Sequence, residues 1–443
     1  KSKLIRSLYG MKNLIKKIIF KVIQLESRII LRKYKPQIIA VTGSVGKTST
    51  KDAIYTALIP SLYISKNQKS YNTEIGIPLA VIGRDSGWGS LWAWVLNIFE
   101  GLLLIVLSNI YPKWLVVEAG IDQPGDMDFI NTLIKSDILV FTKFAKTPVH
   151  VGFFESPEEL IKEKKKLLKS LKEDGVLILN SDDEDVLSIK NGSGKHSITY
   201  GFGGEAEVRA SNLEVSYINN KPVGISFKVN VNGNSLPVAL DGVLGVQHVY
   251  PVLAALSVGK ALNLNVLKLV EAFINHTPAP GRMKIVNGIS NSVIIDDSYN
   301  SSPVAAEEAL NVLQSIKVIG GARKIAILGD MLELGKYTKE EHIKLGKKAV
   351  DIVDILITVG EGSKDIARSA ENSGFSEEKI HQFADVKEAL MFIKDFIKEN
   401  DIVLIKGSQS IRLEKVVEAV MMQPENAKWS LVRQEKDWLR KRV

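Results

Sequence analysis

The chain has 443 residues, enough for two or three domains with full cores. Its 45% hydrophobic and 24% charged residues are ordinary for a globular protein, and the absence of cysteine excludes disulfides and thiolate metal sites. That fits a reducing cytoplasm, while the net charge of +8 is unevenly spread.

Residues 1–36 form a basic amphipathic segment. Lys1, Lys3, Arg6, Lys12, Lys16, Lys17, Lys21, Arg28, Arg32, Lys33 and Lys35 stand against one acid, Glu26, with Leu and Ile between them. The spacing predicts a helix, and two readings stay open. One is attachment to an anionic membrane surface; the other is a helix packed on a domain with a solvated basic face. Charges recur throughout and no small-residue cleavage site stands out, which argues against a secretory signal.

From Ile38 a strand–loop–helix unit follows: Ile38–Thr42, then Gly43-Ser44-Val45-Gly46-Lys47-Thr48-Ser49, then a helix over Thr48–Leu58. Gly43 and Gly46 permit a tight loop around phosphate oxygens, Lys47 neutralises their charge, and Thr48 can hold Mg²⁺. The pattern is GxxxxGK[ST] with Val41 at the first glycine.

An apolar block over 86–114 contains Trp88, Trp92, Trp94, Tyr111 and Trp114 and is interrupted by Glu100. Its uncharged runs are too short to span a bilayer. The readings are an interfacial hairpin, a hydrophobic surface helix, or a buried helix of the α/β domain.

Strands are predicted at Leu115–Glu118, Ile138–Thr142 and Val176–Leu179, with helices at Glu158–Leu171 and His248–Leu262. This is a parallel sheet covered by helices. Between them, 197–240 alternates apolar residues around turns at Asn219-Asn220 and Asn232-Gly233-Asn234, a small antiparallel subregion. Thr277–Arg282 is the clearest linker. The expected domains are therefore 37–280, carrying the apolar insertion, and 281–443. In the latter, strands at Val293–Asp296, Lys324–Leu328, Ile355–Val359 and Ile402–Ile405 alternate with helices at Pro303–Gln314, Lys339–Val353, Lys364–Asn372 and Val386–Glu399, a Rossmann-like α/β domain.

Polar residues gather where these strands end. Glu118 is a candidate Mg²⁺ ligand. His150 follows a strand and loop, and reads as a further ligand or a plain loop residue. Lys164, by composition alone, belongs to a solvated basic helix face. Asp296–Pro303, Gly329–Gly335 and Lys406–Ser410 are three polar loops after strands, the arrangement of a ligand face.

Together these stretches resemble the Mur ligases, ATP-dependent ligases that build the cell-wall stem peptide, and most of all the branch that adds D-alanyl-D-alanine to a UDP-linked muramoyl-tripeptide. The resemblance covers about residues 37–420. It rests on Thr42–Ser49, on Asn72-Thr73-Glu74-Ile75-Gly76-Ile77-Pro78, and on Glu118, His150 and Lys164. The further motifs are Pro280-Gly281-Arg282, Asp296–Pro303, Leu328–Gly335 and Lys406–Ser408. It departs in two places: the adenine-side segment reads Gln247-His248-Val249-Tyr250-Pro251, with His248 and Pro251 at the usual Asn positions, and the family's N-terminal UDP-binding domain is replaced by the basic segment.

The resemblance implies ATP on Gly43, Ser44, Gly46, Lys47, Thr48 and Ser49, with Arg282, Asp297 and Asn300 completing the nucleotide site. It implies Mg²⁺ held by Thr48 and Glu118, and by His150 with a carbamylated Lys164. Lys47, His150 and Lys164 would be catalytic. Asn72, Thr73, Asp330, Lys406 and Ser408 would contact the muramoyl peptide and the D-Ala-D-Ala dipeptide. The activity implied is peptidoglycan-precursor synthesis through an acyl phosphate, in the cytoplasm or on the inner face of the membrane. Residues 1–35 and 88–114 are the segments that would meet an anionic surface, and no nucleic acid is expected. Alternatives are a ligase of the same type acting on a lipid-linked or other non-UDP peptide, and a nucleotide-gated membrane-binding module without catalysis.

Overall fold

A long helix, α1 (Ser2–Tyr34), opens the chain. Lys35, at φ +47°, closes it in the left-handed region, and Pro36 cannot continue it. The computed structural model describes residues 2–67, 75–87, 90–145, 153–318 and 321–439. By compactness the chain divides into two units. The first is Lys1–Lys143, Glu158–Tyr200 and Ala254–Leu269; the second is Phe144–Pro157, Gly201–Leu253 and Val270–Val443. This division differs from the one expected at Pro280, because the antiparallel subregion clusters with the C-terminal residues.

In the first unit α1 is followed by β1 (Gln37–Thr42), α2 (Lys47–Leu58), β2 (Ile64–Lys66), α3 (Gly76–Ile82), α4 (Leu91–Val106) and β3 (Trp114–Glu118). Then come α5 (Asp126–Leu133), β4 (Ser136–Phe141), α6 (Pro157–Lys165), β5 (Leu171–Asn180), α7 (Glu184–Ser193) and β6 (Ser197–Gly201). The strands run parallel in the order β2-β3-β1-β4-β5-β6. β1 and β3 are buried almost throughout, as strands covered on both faces must be.

Three expectations need correction here. The helix expected over Glu158–Leu171 stops at Lys165, tightens through a 3₁₀ segment, and Leu171 already starts β5. The cause is a tie to β4: the Ser136 and Ser170 hydroxyls hydrogen-bond at 2.6 Å. The apolar block is one helix with Trp92, Phe99 and Val106 facing outward, so the hairpin and the buried-helix readings both fail. Strand β2 and helices α3 and α5 are too short to show a period. The N-terminal segment is a helix and is packed through Ile19, Ile23 and Ile30, which matches the packed reading.

The second unit contains the meander β7 (Val208–Ile218), β8 (Lys221–Val231) and β9 (Asn234–Asp241), paired antiparallel as expected. Its turns place Asn219, Asn220, Asn232 and Gly233 at positive φ. Helices α8 (Val249–Ala261) and α9 (Val266–Glu271) come next in the chain, and most of each, within Ala254–Leu269, belongs to the first unit. After them come β10 (Lys284–Asn287), β11 (Val293–Asp297), α10 (Pro303–Ser315), β12 (Lys324–Gly329), α11 (Thr338–Ala349), β13 (Ile355–Val359), α12 (Lys364–Asn372), β14 (Ile380–Phe383), α13 (Val386–Phe396), β15 (Ile402–Lys406) and α14 (Glu414–Val420). The sheet order is β10-β11-β15-β12-β13-β14, with only the β10 edge antiparallel. Helix α10 starts as read, with Pro303 in its first turn and Ser302 capping the Ala305 N–H.

Candidate active site

β1 lies between β3 and β4, so the strand order diverges at its C-terminal end, where open α/β sheets place ligands. The register sets Val41 beside Glu118 and Thr42 beside Phe141. The glycine loop, Glu118 and Thr142 therefore converge.

The loop fits only as glycine. Gly43 sits at φ +147°, and a Cβ there would lie 1.9 Å from Thr142 Oγ1. Gly46, at φ +83°, starts α2 with no side-chain cap. That orients the first-turn N–H groups as helix N-termini present them to anions. Thr142 Oγ1 donates to the Val45 carbonyl at 2.7 Å. The Ser44 and Val45 N–H groups donate to the Lys143 carbonyl, at 2.7 and 3.4 Å. Those two amides thus brace the loop. Ser44 Oγ is buried with no hydrogen-bond partner among the described residues, polar capacity left for a ligand.

Thr48 Oγ1 donates to Glu118 Oε2 at 2.9 Å. Neighbouring ligands of an octahedral Mg²⁺, each roughly 2.1 Å from the ion, stand about 3 Å apart. The two oxygens already have that spacing, so they fit Mg²⁺. Among the described residues no group of three or more His, Asp or Glu side chains forms a metal cage. That matches the habit of Mg²⁺, which takes one or two protein oxygens and fills its shell with phosphates and water.

Lys164 is buried, and its ammonium donates to the Gly43 carbonyl at 2.9 Å. Burial holds its pKa well below the usual lysine value, and Lys47 pushes in the same direction, against Asp122 and Glu118. Its neighbours Lys162 and Lys169 are exposed, so the basic-face reading holds for them and fails for Lys164. Glu163 anchors the helix by accepting the Gly125 and Met127 N–H groups at 3.0 and 3.2 Å. Asp122, raised by burial and by Asp126, was missed in the sequence. Its signal was its place four residues beyond Glu118 in a strand-end loop.

In the second unit β11 and β15 pair Asp297 with Lys406. Lys406 Nζ donates to Asp297 Oδ2 at 2.6 Å and to the Asn300 carbonyl at 3.0 Å, with both side chains largely buried. Burial still leaves Asp297 raised overall, against the pull of Lys406 and Arg282. Arg282 lies over the Tyr299 ring at 4.2 Å. His248 bonds to the Arg282 carbonyl at 2.9 Å, and burial lowers its pKa to about 4, so it is neutral with the proton on Nε2. Asp330 and Ser408 also meet: the Ser408 N–H donates to the Asp330 carbonyl at 2.9 Å, and Asp330 Oδ1 accepts from the Ser363 N–H at 2.7 Å. Missed residues here are His342, which accepts the Met331 N–H at 3.0 Å, and Arg433, which donates to Tyr299 and Ser298 carbonyls. His150, Asn72 and Thr73 lie outside the described residues.

Two family models match the chain: the Mur ligase middle domain over residues 103–259 and the Mur ligase, glutamate ligase domain over 281–409. The chain is 25% identical to the UDP-N-acetylmuramoyl-tripeptide–D-alanyl-D-alanine ligase of Bacillus subtilis, over 90% of this chain and 79% of that one. It is also 25% identical to the Escherichia coli ligase of that name, over 87% and 76%. Among solved structures it is similar to MurF of Acinetobacter baumannii, with TM-score 0.72 and 22% identity over 89% of this chain and 79% of that one. MurF of Thermotoga maritima in complex with ADP gives 0.70 and 22%, over 90% and 83%. Mycobacterium tuberculosis folylpolyglutamate synthase gives 0.65 and 12%, over 94% and 98%.

Proposed function

The chain belongs to the Mur ligase family, and from that premise we propose that it joins D-alanyl-D-alanine to a muramoyl-tripeptide at the expense of ATP. The observation that carries this reading is the meeting of Thr48, Glu118 and Lys164 at one glycine loop.

In the proposed reaction the peptide carboxylate oxygen attacks the γ-phosphorus, the bond to the bridging oxygen breaks, and ADP leaves. The amine nitrogen of the dipeptide then attacks the acyl carbon, loses a proton, and phosphate departs. Positioning and charge neutralisation carry the first step. Lys47 and the α2 N-terminus neutralise the phosphates. Mg²⁺ held by Thr48 and Glu118 would withdraw charge from the phosphate oxygens.

Lys164 is proposed to be carbamylated. Burial and Lys47 lower the Lys164 pKa, which raises the share of neutral amine, and a neutral amine adds to CO₂ with loss of a proton. The product is an anion, which Lys47 would stabilise. His150 joins this assignment on its motif alone. Arg282, Asp297 and Asn300 are assigned to the nucleotide, with Lys406 fixing the Asp297–Asn300 loop. Asn72, Thr73, Asp330 and Ser408 are assigned to the substrates.

We place the reaction on the cytoplasmic side of a membrane. The outward apolar face of α4 favours a second substrate reading, a lipid-linked precursor. ADP formation with UDP-N-acetylmuramoyl-tripeptide and D-Ala-D-Ala tests the first. Turnover with that pair supports it. Intact Mg·ATP binding with no turnover rejects that substrate and leaves the lipid-linked one.

A further inference from the structure

Helix α4 presents the side that a surface helix normally hides. Its inward residues are Trp94, Asn97 and Gly101. Its outward stripe is Trp92, Val95, Leu96, Phe99, Leu102 and Val106, with Trp92 and Val106 each 70% exposed. Water-facing helices put the apolar side inward, and a contiguous exposed apolar patch marks an interaction surface. The helix has one charge, Glu100, and that is paired with Arg84.

This orientation is fixed by α1. Lys33 Nζ donates to the Leu104, Ile105 and Leu107 carbonyls at 3.0, 2.9 and 2.5 Å, capping the C-terminal end of α4. Phe20 packs on Trp94 with ring centroids 5.4 Å apart, and Tyr34 stacks on Tyr111 at 4.5 Å.

α1 continues the same surface. With 3.6 residues per turn, the positions around α1 can be read in order. Glu26 and Lys33, on the α4 side, come first; then Ile29, Ile18 and Leu25; then Arg32, Lys21 and Arg28. The middle three are large exposed apolar residues. An apolar strip therefore adjoins α4, and a cationic strip borders it. Arg28, Arg32 and Lys35, with Lys135 and Lys172, line a cavity of about 610 Å³, and of these cations Lys172 is paired with Asp137 at 2.7 Å.

We infer that the outward faces of α4 and α1 form one docking surface for an anionic lipid bilayer. The α4 stripe enters the acyl boundary, and lipid phosphates sit at the Arg28–Arg32–Lys35 cavity. No described helix is long and apolar enough to cross a membrane, so this pair lies in the interface plane. Charge decides the occupant. Eleven Lys and Arg against one acid over residues 1–35 complement phosphate headgroups, whereas a second copy would set like charge against like. The inference rests on the membrane placement proposed above and names the surface and the lipid class.

The test is flotation of the full chain with vesicles of phosphatidylcholine alone or mixed equally with phosphatidylglycerol, with Mg·ATP binding measured in the same samples as a check of folding. The wild type floats with the mixed vesicles, and high salt weakens binding. Trp92→Asp with Phe99→Asp, both at exposed positions, lowers binding at least about tenfold. Arg28→Glu with Arg32→Glu removes the preference for anionic vesicles. Undiminished flotation of the Trp92/Phe99 variant overturns the surface while leaving the membrane placement standing. Absence of wild-type flotation overturns both. Self-association that Trp92→Asp abolishes, without vesicle binding, reassigns the face to a second copy.

Discussion

The Lys164 ammonium donates to the carbonyl of Gly43, 2.9 Å away, so a helix far along the chain holds the backbone of the phosphate loop. A buried lysine is an expensive choice for that task, since an apolar residue of similar length would avoid desolvating a charge. The two roles separate in Lys164→Met. Turnover falls at least about 100-fold, because the group at that position is lost. Stability of the ligand-free protein rises. The folded pKa lies below the unfolded one, so between those values the unfolded chain binds the extra proton and wild-type stability increases with pH. The variant loses that slope, which denaturation midpoints across pH 6–10 would show. Bicarbonate enriched in ¹³C gives a carbamate signal in the wild type that the variant lacks.

Glu118→Gln removes a charge but keeps an oxygen that accepts from Thr48 Oγ1, so the fold is retained. Nucleotide binding without metal changes little. The increment that Mg²⁺ adds to ADP affinity shrinks, and turnover drops by roughly 100-fold or more. Calorimetric titration of ADP with and without Mg²⁺ checks this; an unchanged Mg²⁺ increment would show that Glu118 is no ligand.

Lys406→Met leaves Asp297 buried without its cation. Removing one partner of such a pair costs about 3–5 kcal/mol, whereas removing both costs far less. Lys406→Met with Asp297→Asn should therefore recover much of the loss in chemical denaturation. ADP affinity should stay low in both, since Asn300 loses the donor to its carbonyl.

The strands were legible because each is a short apolar run ending at a polar turn. Ile38–Thr42 and Ile402–Ile405 both read this way, and each lies within one residue of its strand, β1 and β15. The loops were legible because glycine and acidic residues at strand ends have few other uses. What sequence hid were partnerships made across space. Lys164 looked like its solvated neighbours until the Glu163 contacts turned it inward. Lys406 looked like a ligand group, yet its ammonium is taken by Asp297. The Ser44 and Val45 amides donate to the carbonyl of Lys143, about a hundred residues later, a tie that no local pattern marks. Helix α4 hid its orientation because nearly all its residues are apolar, so no period marked an inner side.

Glu26 offers a pH-dependent test of how α1 meets α4. Its Oε2 is buried with no hydrogen-bond partner among the described residues, and burial pushes its pKa from 4.5 up to about 7. A Cβ on Gly101 would lie 2.4 Å from that oxygen, so α4 approaches this closely only because it carries glycine there. The folded state holds the proton more tightly, so between pH 4.5 and about 7 it binds more protons than the unfolded chain. Stability therefore falls as pH rises through this window and is flat above it. Glu26→Gln removes the ionisable group while keeping its shape. It should stabilise the protein by about 1–3 kcal/mol at pH 8 and hardly at all at pH 4.5. Thermal melts of both proteins at the two pH values decide it: equal shifts at both would mean that Glu26 is already solvated or paired, and that the α1–α4 contact is looser than the Gly101 approach requires.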